Sequence, residues 1–198
     1  MSINVWIKVN LADKALAPLR EGLVDLIDEN TSVLDVGCGS GDLLFKASSK
    51  IQSGYGIDLD GQMIQFAQNK SQQQSFQNLT FESINALDMP HSYFDVATST
   101  LCLHEMTASD ACAVLARMSD LSNRILIADY TRPKSLLAKL AIEFDEFISG
   151  HYSRFKAYRK LGGIVNYARQ CGLTVVREIP SSIDGISIWE IAGKAEKR

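Results

Sequence analysis

No apolar run approaches the roughly 20 uncharged residues that a membrane-spanning helix requires. The opening stretch, "MSINVWIKVNLADK", lacks the apolar centre and small-residue cleavage site of a signal peptide. A cytoplasmic chain without a membrane span is therefore expected. Cysteine is scarce. The four present, Cys38, Cys102, Cys112 and Cys171, lie far apart without CxxC spacing, so neither a metal site nor a disulfide framework is predicted and the thiols are expected to be reduced and mostly buried. Basic excess is missing too: a net charge of −3 and a pI near 5.6 argue against gripping the backbone of a long nucleic acid. Repeats, low-complexity stretches and linkers are absent. What remains is 198 residues, 46% of them hydrophobic, enough for one domain with a proper core, expected to span 1–198.

Leu16, Leu19, Leu23, Leu26 and Ile27 recur at helical spacing, which predicts a helix over about 12–29. Further helical segments are predicted at about 41–50, 61–70, 108–120, 134–149 and 156–171, the last closed by Gly172. Between them stand strand-like runs: "TSVLDVG", "GYGID", "LTFESI", "FDVATS" and "RILIADY", then "LTVVREI" and "ISIWEIA". Strands alternating with helices call for a doubly wound α/β fold with a mostly parallel sheet. Only "PSSID" joins the last two strands, too little for a parallel crossover, so these two should pair antiparallel.

The first strand runs into "VLDVGCGSGDL", residues 33–43, where Gly37, Gly39 and Gly41 precede a helix. In an open parallel sheet, ligands bind beyond the carboxyl ends of the strands. A dinucleotide fingerprint would place a glycine at position 42 to face a pyrophosphate, but Asp42 stands there and Asp35 is close by. Two carboxylates repel a diphosphate and favour a cationic ligand. Asp58 ends the second strand about 20 residues on, where an acid can accept from ribose hydroxyls. Asp60, in "DGQM", is expected to cap the next helix.

With its acid before GxGxG, the stretch resembles the first motif of the class I S-adenosylmethionine-dependent methyltransferases, whose cofactor is net positive. The resemblance extends along the strand ends. It implies that Asp35 and the turn Gly37, Cys38, Gly39 and Gly41 meet the cofactor, that Asp58 holds the ribose and that Leu59 packs on adenine. "SINALDMP" is similar to the family's "GDA" segment, with Asn85 and Ala86 on the adenine edge; a turn-forming role for Asn85 stays open. "YFDVATSTLCLHEM" is similar to "FDVVVSSLVLHHL", which implies Ser99 and Thr100 near the reacting centre. Small-molecule enzymes of the quinone-biosynthesis and "methyltransferase domain" type look nearest. The family's Rossmann-like sheet of seven strands, ordered 3-2-1-4-5-7-6 with the last strand antiparallel, is expected.

Methyl transfer from a sulfonium needs alignment and exclusion of water, and a base only when the acceptor arrives protonated. His104 is a candidate base or a residue supporting the cofactor pocket, Glu105 a candidate helix cap, and "HEMTA" lacks the second histidine of a zinc signature. The resemblance implies an N-terminal helical cap over 1–30 and a substrate lid over 132–160. His151 and Tyr152 are candidate catalytic residues; Tyr130, Arg154 and Tyr158 are candidate substrate contacts, with Arg154 and Tyr158 on one helical face. A solvated basic face is the plainer reading of Arg154. Lys14 and Arg20 are candidates for the cofactor's carboxylate or for surface charge, and Cys102 is expected to be buried near the site rather than a metalloid ligand. The chemistry expected is in-line methyl transfer to a small molecule. Base methyltransferase stretches of the "NPPY" or "PC" type are missing. A protein acceptor and a non-catalytic cofactor-binding partner subunit stay open.

Overall fold

The computed structural model describes residues 13–89, 91–148 and 150–194, so positions 1–12 of the expected N-terminal cap lie outside the described residues. Seven strands form one sheet: β1 (Ser32–Val36), β2 (Ser53–Asp58), β3 (Leu79–Ser83), β4 (Phe94–Thr100), β5 (Ser122–Tyr130), β6 (Val175–Pro180) and β7 (Ile186–Ala192). Their order is β3-β2-β1-β4-β5-β7-β6, as expected. The first five run parallel, and β7 pairs antiparallel with both β5 and β6. Because β1 pairs with β2 on one side and β4 on the other, the strand order reverses there, which opens a crevice at the carboxyl edge. The register sets Val36 beside Ile57 and Ser99, so three strand ends reach that edge together.

Central strands read as near-continuous apolar runs because both faces are covered. Leu34, Val36, Ile57, Ile125 and Ile127 are wholly buried, each worth about 1.5–3 kcal/mol of apolar burial. The helices are α1 (Asp13–Leu26), α2 (Asp42–Ala47), α3 (Gly61–Gln73), α4 (Ala108–Leu121), α5 (Leu136–Ile148), α6 (Tyr152–Lys160) and α7 (Gly163–Gln170). One predicted helix, 156–171, is in fact two. Gly162 and Gly163 adopt φ of +91° and +66°, and that left-handed pair ends α6 and turns the chain into α7.

The expectation of four reduced thiols is corrected. Cys112 of α4 and Cys171, just past α7, are joined as a disulfide with Cα atoms 5.5 Å apart, while Cys38 and Cys102 stay free. Packing of α4 against α7 brings together two cysteines that are 59 residues apart in sequence, a proximity no spacing rule could reveal.

Candidate active site

The glycine turn is fixed by its own main chain. Gly37 and Cys38 both donate their N–H groups to the Ile57 carbonyl at 2.8 and 3.0 Å, lashing the end of β1 to β2. Gly41 N–H donates back to Cys38 O at 2.9 Å, and Gly41, at φ +77°, starts α2. A Cβ at Gly37, where φ is +72°, would fall 2.4 Å from Cys102 Sγ, so only glycine lets the segments after β1 and β4 approach this closely.

Asp58 closes the turn. Its carboxylate accepts from Gly39 N–H and from Asp60 N–H, both at 2.8 Å, while Asp60 caps α3 by accepting from Gln62 and Met63 N–H, as predicted. Leu59, between the two acids, is an apolar side chain left 72% exposed at the cleft. Asn85 accepts from Leu87 N–H at 2.9 Å and so starts a short 3-10 turn (Ala86–Asp88): the turn-forming role left open for it is present.

Beside the turn lies a cleft of about 590 Å³, within the range of small-molecule sites, which Gly37 lines but Cys38, Gly39 and Gly41 do not. Gly37, Asp58, Leu59, Asn85 and Ala86 line one side. The other wall is Leu101, Cys102, Glu105 and Met106, with Asp110 and Val114 of α4. Of that wall the sequence points to Cys102 as near the site; Glu105 reads there as a helix cap, and nothing in the spacing marks Met106, Asp110 or Val114. The backbone at Leu101 holds φ +50°, unusual for a branched side chain, with its N–H donating to Ala128 O at 2.8 Å. That bend turns the chain away from β4 into the wall.

Several expected contacts lie elsewhere. Ser99 and Thr100 do not line the cleft; the Ser99 side chain is buried within the sheet, since alternation along β4 sends it into a helix-covered face. Asp35 is buried beneath the turn, accepting from the Thr98 hydroxyl at 2.8 Å. Burial pushes its carboxyl up to about 6, with the Thr98 bond and the Arg20 charge pulling the other way and the Asp58 charge adding to the rise. Asp42 is not free to face a ligand: Arg20 bridges it at 3.2 Å and Asp13 at 2.7 Å, and the Ser40 hydroxyl donates to Asp13. Arg20 thus ties α1 to the turn, and Lys14 is exposed.

His104 is sealed in the core. It is 1% exposed, with Nδ1 2.7 Å from Asp129 and Nε2 3.2 Å from Glu146 of α5, and it does not line the cleft. Burial pulls its pKa down, but the two carboxylates together more than reverse this and push it up to about 10. Held between the two carboxylates and away from the cleft, the imidazole bridges β5 and α5. Tyr130, its ring centroid 4.6 Å from His104, and Tyr158, whose hydroxyl donates to Tyr130 O at 2.7 Å, are likewise buried and do not line the cleft. The buried face of α6 runs through Phe155 and Tyr158, three apart, and leaves Arg154 in solvent.

His151 is placed differently. Half-exposed at the start of α6, its Nδ1 stands 3.0 Å from Oε1 of Glu105, a cleft residue. Tyr152 follows, packing edge-on to Phe147 at the α5–α6 corner. The free Cys102 thiol is held protonated, raised far above its usual range by burial first and nearby carboxylates second. Among the described residues, no group of three His, Cys, Asp or Glu is arranged to hold a metal.

A methyltransferase domain model matches residues 27–166. Aklanonic acid methyltransferase of Streptomyces sp. (strain C5) is 31% identical over 52% of this chain and 50% of its own. The ubiquinone/menaquinone biosynthesis C-methyltransferase of Vibrio campbellii is 30% identical over 58% of this chain and 46% of its own. The chain thus spans about half the length of these curated relatives. In fold it is similar to magnesium protoporphyrin IX methyltransferase of Synechocystis with bound S-adenosylhomocysteine, at a TM-score of 0.66 and 19% identity, over 92% of this chain and 83% of that one. With its seven-stranded sheet, its glycine turn and a family model covering most of its length, the chain belongs to the methyltransferase domain family and has the class I fold of S-adenosylmethionine-dependent enzymes.

Proposed function

We propose that this protein binds S-adenosylmethionine in the cleft between the glycine turn and α4 and methylates a small-molecule acceptor. One observation carries the reading: a carboxylate anchored by two backbone amides, Asp58, stands beside an exposed apolar side chain, Leu59, at the strand-order reversal. A ribose and a base meet such a pair with hydrogen bonds on one flank and stacking on the other. Asn85 and Ala86 border the base, and Gly37 lines the same cleft. When bound, the cofactor supplies an electrophilic methyl carbon open to in-line displacement. Asp35, Asp58 and Asp110 keep the surroundings acidic, which suits a cationic ligand.

Glu105 and His151 are the acceptor-side candidates. The Glu105 carboxylate stands 3.0 Å from Nδ1 of His151, and on this reading the imidazole takes a proton from a hydroxyl or an acidic carbon. Tyr152 and Arg154 flank that corner at the edge of the 132–160 lid. His104 is a positioning residue that holds the lid.

Purified protein is to be incubated with S-adenosylmethionine carrying a labelled methyl group and a panel of acceptors. Relatives named for aklanonic acid and for ubiquinone/menaquinone biosynthesis make aromatic acids and quinone precursors the first compounds to test. Label transfer to one of them is expected, together with binding of S-adenosylhomocysteine by calorimetry. Binding without transfer to any acceptor favours a non-catalytic partner subunit, and tight NADH binding in its place overturns the assignment.

A further inference from the structure

Helix α5 is inside out. Leu136, Leu137, Leu140, Phe144, Phe147 and Ile148 are 54–81% exposed, and at helical spacing they form one continuous outward arc. Its buried residue is a glutamate, Glu146, which reaches inward to His104 Nε2 at 3.2 Å. The Glu146 contact, with Ile142 packed against the core beside it, docks the helix, and the rest of its apolar side faces away from the core. A contiguous apolar surface of this kind marks a binding face.

Charge selects the partner. Residues 132–160 hold seven Lys and Arg against three acids, a net of +4 in a chain whose total is −3. One of the three acids is the buried Glu146, and a second, Glu143, is bridged by Arg159 at 3.2 Å. Arg154, Lys156 and Lys160 lie exposed on α6, directly after the apolar arc. We propose that this segment binds the surface of an anionic phospholipid bilayer, with α5 lying in the interfacial plane and the basic side chains among the headgroups. Its 13 residues extend about 20 Å, short of the roughly 30 Å hydrocarbon core, and no described helix is long and apolar enough to cross a membrane, so the contact is peripheral. A second copy of the chain on this face would bring two basic surfaces together, which like-charge repulsion opposes; anionic headgroups neutralise them.

The proposal is independent of methyl transfer and is tested without it. The full chain is to be co-sedimented with vesicles of phosphatidylcholine alone and with vesicles in which about one lipid in four is phosphatidylglycerol. Retention on the anionic vesicles is expected to be about tenfold higher and to fall with added salt. The exposed-face variant Leu140→Ser/Phe144→Ser and the charge variant Lys156→Glu/Lys160→Glu should each lower it by about tenfold, with unchanged thermal melts recording that the fold is kept. Equal retention on neutral vesicles overturns the proposal, as does binding that survives both variants. A concentration-dependent dimer in sedimentation velocity, abolished by Leu140→Ser/Phe144→Ser and accompanied by no vesicle binding, overturns it in favour of a second copy.

Discussion

The Asp58 carboxylate lines the cleft and satisfies the amides of Gly39 and Asp60, and in the proposed reading the same group also holds a ribose. Sequence alone assigned only the ribose role, because a strand-end acid about 20 residues past a glycine turn has a known use, whereas the bonds it makes to its own loop depend on how the turn closes. Asp58→Ala is therefore expected to weaken S-adenosylhomocysteine binding at least about tenfold and also to cost about 1–3 kcal/mol of stability, measured by calorimetry and urea denaturation. Asp35 gives a pH dependence. Its folded-state pKa of about 6 lies above the ordinary 3.8, so its contribution to the stability of the empty protein is fully present below the ordinary value and is lost as pH rises through about 6. Cofactor affinity should run the opposite way, weakening as pH falls through about 6 and the carboxylate beneath the turn loses its charge; a titration that is flat from pH 5 to 8 would remove Asp35 from the electrostatics of the site. Glycine positions and strand-end acids were legible because backbone sterics dictate them. Ser99, Tyr130 and Tyr158 were not, since a residue's type says nothing of which face of its element turns inward.

Among the elements, α5 shows why periodicity located a helix and misjudged its orientation. "LLAKLAIEFDEFI" has a plain apolar stripe, and such a stripe normally faces the core. Here the buried Glu146–His104 pair, together with Ile142, faces the core and leaves the larger apolar stripe outside. Glu146→Gln is expected to lower stability by about 1.5–3 kcal/mol near neutral pH, read from urea midpoints. Against the pull of burial, Asp129 first and Glu146 second raise the folded-state pKa of His104 from the ordinary 6.5 to about 10, so the stabilisation it draws from the two carboxylates is complete below the ordinary value and fades as pH rises through about 10. The gap between wild type and variant should close in that range. Gly162–Gly163 is the other misreading: apolar spacing continued across it, and two consecutive glycines were the unheeded signal that one helix was two.

At the level of the whole molecule, the alternation of strand and helix, together with a five-residue link between the last two strands, was enough to predict the mixed sheet, because chain connectivity allows few alternatives. The Cys112–Cys171 bond was out of reach, since it depends on how two helices far apart in the chain pack. Reduction with dithiothreitol is expected to lower stability by about 2–4 kcal/mol, the effect of releasing a long closed loop from the unfolded ensemble, and Cys112→Ser should reproduce it in the absence of reductant. Finally, the amides of Gly37, Cys38, Gly39 and Gly41 are already committed, to Ile57, Asp58 and Cys38. An arriving nucleoside thus meets a finished surface, with little segmental ordering left to complete. Association should be a single encounter step, its stopped-flow rate rising in proportion to cofactor concentration with no plateau from a preceding rearrangement.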